Sequence, residues 1–186
     1  MAKAIGLSTE TILLAHGGGG LLTRELIEGL IAPIFGNPSS GLPDAALVCG
    51  LNDVLVTTDS FVVKPLCFRG GDIGSLSVYG TVNDLAVSGG EPLALSLSLI
   101  LEEGLEIELL RRILESAAEA AEQCGVRIVT GDTKVVSRSE ADQLYITTAG
   151  VGIRRVKVDP SGVRPGDRVL LSGPVAEHGV CLLQPL

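Results

Sequence analysis

From Leu93 to Leu101 every second residue is leucine, and Ala94, Ser96, Ser98 and Ile100 fill the gaps. Successive side chains of a strand point to opposite faces, so this run specifies a strand with one leucine face and one face of mostly small residues. A slip of one residue in its pairing would turn every leucine the wrong way. The leucines therefore demand a cover. Residues Glu106 to Cys124 can supply it: Leu109, Leu110, Ile113, Leu114, Ala117, Ala118 and Ala121 fall on one side of a helix, and Arg111, Arg112, Glu115, Glu119 and Glu122 fall on the other. Gly125 ends that helix.

A second helix is expected between Gly70-Gly71 and Gly89-Gly90. Leu76, Tyr79, Val82, Leu85 and Ala86 recur there every three or four residues, and Asp72 is placed to cap it. Its small residues Gly74, Ser75, Ser77 and Gly80 imply close packing against a sheet. Ala45 to Cys49, Val54 to Val63, Val126 to Val129 and Leu144 to Ile153 read as further strands, the last two joined across Thr130-Gly131-Asp132-Thr133-Lys134. Upstream, Thr23 to Phe35 has helical spacing with Thr23 as its cap, and Gly36 to Pro43 is a loop. Strands, a helix, a strand, a helix and more strands, in that order, favour an α+β fold over a doubly wound parallel sheet. Near Asp159-Pro160-Ser161-Gly162 the composition turns linker-like, and a short strand is expected at Arg168 to Leu171. The expected organisation is a first domain over residues 1–158, with residues 159–186 as the truncated start of a second.

Charge and composition narrow the function. Fourteen Lys and Arg against 22 Asp and Glu give a net charge of −8, which argues against a partner held by phosphate neutralisation. No Trp, three Phe and two Tyr leave little for base stacking, so no nucleic acid is expected. The apolar run Pro92 to Leu101 is about half the ~20 residues of a membrane span, so no membrane role is expected either. Cys49, Cys67, Cys124 and Cys181 are widely spaced and form no C-x-x-C pair, which suits a reducing cytoplasm.

Four aspartates sit at element ends or in apolar surroundings: Asp44, Asp59 in Thr-Thr-Asp-Ser, Asp84 in Val-Asn-Asp-Leu-Ala, and Asp132 in Thr-Gly-Asp-Thr. Asp44, Asp59 and Asp132 each have an ordinary explanation as turn or cap residues. Asp84 is harder to explain away, because the middle of an apolar helix is a poor place for a carboxylate without a partner or a metal. If the four converge they repel one another unless a divalent cation neutralises them, and Mg²⁺ with phosphates and waters suits such oxygen ligands. Lys64 and Lys134 lie within a few residues of these aspartates, where they could balance phosphate charge or simply pair with a carboxylate. Gly17, Gly18, Gly19 and Gly20 offer unhindered backbone N–H groups, but they lack the G-K-[ST] ending of a phosphate-binding Walker loop. His16 and His178 do not form a metal-spacing pair.

Taken together, His16–Gly20, Pro43–Val48, Thr57–Leu66, Gly70–Leu105, Thr130–Val136 and Ser172–Gly179 resemble the ATP-binding superfamily of aminoimidazole ribonucleotide synthetase, selenophosphate synthetase and thiamine-monophosphate kinase. Within it they are similar to the hydrogenase-maturation family HypE, and the long block from Gly70 to Leu105 carries most of the specificity. The resemblance implies a mixed sheet with helices on one face, pairing with a second copy into a barrel-like homodimer. It makes Asp44, Asp59, Asp84 and Asp132 the acidic positions around Mg²⁺ and ATP, with Asn83 and Thr133 beside them. Lys64 and Lys134 become phosphate contacts, Lys134 and Asp84 the catalytic positions, and Gly17 to Gly20 a cover over the nucleotide.

The implied activity is an ATP-dependent carbamoyl dehydratase, which converts a protein S-carboxamide to a thiocyanate for the cyanide ligand of [NiFe]-hydrogenase. The implied partners are a carbamoyltransferase, HypF, and a HypC–HypD scaffold. The family's C-terminal cysteine tail has no counterpart in the ending Cys181-Leu182-Leu183-Gln184-Pro185-Leu186, so an inactive nucleotide-binding fragment is expected. The alternative is a non-catalytic dimerisation or docking module for the same maturation partners.

Overall fold

A computed structural model describes residues 13, 15, 18–31, 45–47 and 53–183. The chain divides into two units, residues 1–43 and 44–186, and each is described by itself.

In the first unit, helix α1 (Leu21–Leu26) runs into a π-helical turn, Ile27–Ile31. Its cap is Gly20, not the expected Thr23. Thr23 lies inside the helix, where its hydroxyl reaches back to accept the Gly19 N–H at 2.9 Å, so the threonine serves the turn before the helix instead of starting it.

The second unit is built on a five-stranded mixed sheet in the order β1 (Ala46–Leu47), β2 (Val54–Phe61), β7 (Leu144–Arg154), β5 (Gly90–Glu102), β6 (Arg127–Val136). β7 runs antiparallel to both β2 and β5, whereas β5 and β6 are parallel and joined through helix α3 (Ile107–Gln123). A two-stranded ribbon, β3 (Cys67–Phe68) and β4 (Gly71–Asp72), leads into helix α2 (Ile73–Val87). A short helix, α4 (Glu177–Leu183), follows a long irregular stretch. This is the mixed α+β architecture expected, with an open sheet whose edges are β1 and β6.

The leucine alternation is realised as expected. Leu95, Leu97 and Leu99 are buried in one cluster with Ile113, Ala117, Ala120 and Ala121 of α3, Ile73 and Val78 of α2, and Leu144 and Ile146 of β7. Both long helices therefore cover the same face. On the opposite face the pairing aligns Val56, Val151 and Ala94 in one row, Thr58, Ala149, Ser96 and Thr130 in the next, and Ser60, Thr147, Ser98 and Asp132 in a third.

Three local expectations are corrected. Residues Thr130 to Lys134 are not a connection but the middle of β6. Gly131 reads as a turn residue in sequence, yet a Cβ there would stand 2.1 Å from the Leu97 carbonyl oxygen, so the glycine serves close strand approach. Arg168 to Leu171 forms no strand: Val169 and Leu170 are 91% and 88% exposed, and among the described residues no strand pairs with them. An apolar, β-branched run needs a hydrogen-bonding neighbour before its propensity counts. Finally, of the residues that predicted α2, Leu85 is buried and Leu76 and Val82 pack against the core, but the remaining two do not. Tyr79 and Ala86 are exposed, and the buried face is Ile73, Gly74, Ser77, Val78, Thr81 and Leu85.

The ends of α2 and α3 follow the sequence signals. The Asp72 carboxylate accepts the Ser75 N–H at 2.9 Å while the Ser75 hydroxyl accepts the Asp72 N–H at 3.2 Å, a reciprocal capping box. Gly125, with φ of 68°, takes the left-handed conformation that stops α3.

Candidate functional site

The small-residue face of α2 lets it lie close to β2 and β7. A Cβ at Gly80 would meet the Phe61 ring at 2.8 Å and the Asp59 carboxylate at 3.6 Å. One turn further along α2, Asp84 reaches β2 directly: its Oδ2 accepts the Thr57 hydroxyl at 3.0 Å. Thr57 and Asp59 are two residues apart on a strand and so share a face, while Gly80 and Asp84 are four apart on a helix and so share a side. The fold thus brings Asp59 and Asp84, both half-buried, to one face of one strand.

A layer of hydroxyls backs this pair. Thr81 and Thr148, 0% and 1% exposed, are hydrogen-bonded to one another between α2 and β7, and the Thr148 hydroxyl also reaches the Ser77 carbonyl at 3.5 Å. Thr57 is 6% exposed. No buried side-chain polar atom among the described residues lacks a partner, so this layer sits in the interior without an outstanding desolvation cost. Sequence reasoning missed Thr57, Thr81 and Thr148. For Thr57 a signal was present, since a strand residue two before Asp59 must share its face.

Asp132 and Lys134 stand elsewhere. They lie on the edge strand β6, exposed, in register with Ser98 and Ile100, and so on the sheet face opposite to the helices. Three strand spacings separate β6 from β2, about 14 Å at ~4.8 Å each. Thr133, between them, is in register with Leu99 and belongs to the helix-covered face. Asn83 is exposed on α2 beside Asp84. Lys64 is exposed and its ammonium donates to Asp142 at 2.7 Å, a bond that raises its pKa. Gly18 to Gly20 form the bends before α1 in the 1–43 unit. Asp44, Gly17, His16 and Cys49 lie outside the described residues.

Among the described residues no three His, Cys, Asp or Glu side chains gather closely enough to cage a metal ion. The donor set nevertheless suits Mg²⁺, which is usually held by one or two carboxylates and completed by phosphates and water, and Asp59 with Asp84 is such a pair. A cavity of about 590 Å³ is lined by residues including Glu102, Gly104, Glu106, Arg138 and Gln143, and neither Asp59 nor Asp84 lines it. Cys67 and Cys124 have thiols pushed up in pKa chiefly by burial, which makes them poor thiolates. No helix among the described residues is long and apolar enough to cross a membrane.

Comparison with known proteins converges on one group. Residues 43–154 match the family described as AIR synthase related protein, N-terminal domain. Carbamoyl dehydratase HypE of Rhodobacter capsulatus is 48% identical over 185 residues, which is 96% of this chain and 54% of that protein. A solved HypE–HypF complex contains a chain that is 48% identical with a TM-score of 0.66, over 70% of this chain and 43% of that one. A hydrogenase maturation protein HypE solved in complex with ATP is 46% identical with a TM-score of 0.56, over 78% of this chain and 44% of that one. The chain spans about half the length of the curated relatives it matches.

Proposed function

The chain belongs to the AIR synthase related protein, N-terminal domain, family, and from that premise we propose that it is the nucleotide-binding part of an ATP-dependent carbamoyl dehydratase. The observation that carries the proposal is the convergence of Asp59 and Asp84 across β2 and α2, together with the likeness to a relative solved with ATP. In this reading Asp59 and Asp84 hold Mg²⁺ on the triphosphate and Asn83 lies beside them. The metal would neutralise phosphate charge, so that the γ-phosphoryl group can pass to the oxygen of a protein S-carboxamide. An amide oxygen leaves poorly and its phosphorylated form leaves well, which is the reason for coupling dehydration to ATP. The product is the thiocyanate that supplies the cyanide ligand of [NiFe]-hydrogenase.

The remaining site residues enter the proposal through dimerisation. The open face of the sheet carries Val54, Val56, Val151 and Ile153 at one end and hydroxyl rows in the middle, and a second copy laid on it would form the barrel-like homodimer. Asp132 and Lys134 point to that same face and would then act at the interface, with Thr133 next to them, Lys134 serving the phosphates. Asp44 and Lys64 are the further residues proposed for the nucleotide site. HypF and a HypC–HypD scaffold are the proposed partners, in the cytoplasm. None of Cys67, Cys124 and Cys181 is proposed as the carbamoyl acceptor.

Titration of the chain with ATP at fixed Mg²⁺, read by calorimetry, tests the reading. Binding is expected for the parent and a loss of Mg²⁺-dependent binding for Asp84→Asn, with the unfolding transition retained because Asn can still accept the Thr57 hydroxyl. No binding by the parent at millimolar nucleotide would instead favour a docking module without nucleotide chemistry. Equal binding by parent and variant would remove Asp84 from the site.

A further inference from the structure

The Thr57 hydroxyl ties the Asp84 carboxylate to the sheet by a 3.0 Å hydrogen bond. Thr57 is 6% exposed, on the face covered by α2, in register with Gly150 of β7. Gly150 leaves space, since a Cβ there would press on Thr81, Leu85 and Leu95 at 2.9, 3.0 and 3.2 Å. Helix α2 is pinned on either side of this point: Thr81 bonds Thr148 one position along the sheet, and Leu85, 0% exposed, is buried with Leu55. The helix backbone at Asp84 is therefore fixed, and what remains to be set is the rotation of the carboxylate itself.

We propose that Thr57 is a positioning residue: by donating its hydroxyl to Asp84 Oδ2 it selects the rotamer in which this carboxylate faces the same side of β2 as Asp59, ready to share a divalent cation with it. This rests on the nucleotide-binding reading of the two aspartates. The chemistry of the donor matters. An ionised carboxylate has about four acceptor sites, so one hydroxyl fixes its plane and leaves the others available for a cation. A lysine or arginine in the place of Thr57 would neutralise the charge that the cation needs, whereas threonine orients Asp84 and adds no charge. Its β-branched side chain is itself restricted at χ1 on a strand, so the hydroxyl direction is set before any ligand arrives. Partners of this kind, one bond removed from a metal, typically change metal affinity by about 10–100-fold when deleted.

The test compares the parent chain with Thr57→Val, which keeps the shape and removes the hydroxyl, and Thr57→Ser, which keeps the hydroxyl. Without metal or nucleotide, side-chain three-bond couplings of Asp84 by NMR are expected to report one χ1 rotamer in the parent and in Thr57→Ser, and rotamer averaging in Thr57→Val. With a fluorescent ATP analogue, the half-saturating Mg²⁺ concentration is expected to rise at least about tenfold in Thr57→Val and less than about twofold in Thr57→Ser. Circular dichroism establishes that each variant is folded, and Thr57→Ala replaces the valine variant if that one is not. Unchanged Asp84 couplings and an unchanged Mg²⁺ requirement in the folded variant lacking the hydroxyl would overturn the assignment. If the parent itself shows no Mg²⁺-dependent binding, the nucleotide reading fails, and the coupling measurement still decides whether Thr57 orients Asp84.

Discussion

Gly74 and Gly80 lie six residues apart in α2, and the same substitution should be costly at the first and nearly neutral at the second. Replacing a helix-interior glycine by alanine ordinarily stabilises by about 1 kcal/mol, through the lower entropy of the unfolded chain. At Gly74 the new methyl carbon would stand 2.1 Å from the backbone oxygen of Ile113 in α3 and 3.0 Å from the Asp72 carboxylate that caps α2. A backbone carbonyl inside a helix cannot rotate aside, so the two helices must separate by roughly an ångström, and they carry Ile73, Val78, Ile113 and Ala117 of the main core with them. Overpacking of this kind costs about 1–3 kcal/mol, and the loss of intimate packing puts Gly74 at the upper end. Subtracting the propensity gain leaves Gly74→Ala destabilised by about 2 kcal/mol, or about 4–8 °C in Tm for a chain of this size. At Gly80 the obstruction is the tip of the Phe61 ring at 2.8 Å, and Phe61 is only half-buried and can turn away. Gain and cost then nearly cancel, and Gly80→Ala should fall within about 1 kcal/mol of the parent. Urea unfolding followed by circular dichroism, with the slope checked for constancy, measures both. A Gly74→Ala chain as stable as the parent would refute the reasoning, because it would mean that the helices are not in backbone contact there.

Two further outcomes follow from polar contacts. Thr148→Val should cost about 1–3 kcal/mol by leaving the fully buried Thr81 hydroxyl without its partner, and the Thr81→Val, Thr148→Val pair should cost less than the two single changes summed, measured by the same unfolding series. Glu102 accepts the backbone N–H groups of Ser139 at 2.6 Å and Gln143 at 2.8 Å, two residues with positive φ, and these bonds hold its pKa below the usual carboxylate value. A depressed folded-state pKa contributes stability that is present above the unfolded value of about 4.3 and is lost as pH falls through the folded value. The amide shifts of Ser139 and Gln143 should therefore titrate together with a midpoint below that value, and Glu102→Gln should abolish the titration; a midpoint at or above it would contradict the assigned bonds.

Where one kind of side chain does one job, the sequence reads directly. The leucines of β5 have a strict period of two and α3 has an apolar side and a charged side, so burial alone dictates both, and Asp72 and Gly125 mark helix ends by local chemistry that needs no tertiary partner. Failures come where a residue serves the fold through something distant in sequence. Gly131 looks like a turn until Leu97 is placed beside it, Thr23 looks like a cap until the chain before it bends, and Val169 to Leu171 look like a strand although no strand among the described residues pairs with them. Helix α2 is the instructive case. Tyr79 and Val87 face outward, while Gly74, Ser77 and Thr81 are buried beside Ile73, Val78 and Leu85, so a search for an apolar stripe finds only part of the buried side.

Those buried small residues explain how Asp84 reaches the strand that carries Asp59. An aspartate side chain is short, and it can touch a strand from a helix only if the helix axis approaches more closely than leucines would permit. Gly80 against Phe61, and Thr81 against Thr148, provide that approach, and the 3.0 Å bond from Thr57 to Asp84 is its result. Small residues on α2 and a carboxylate in its last turn are thus one arrangement seen twice: the first brings the helix down, and the second uses the contact. Asp132 lies exposed on an edge strand, on the face opposite to α2 and α3, so its spacing in sequence from Asp84 carries no information about distance in space. Its part in any shared site has to come from whatever covers the open side of the sheet.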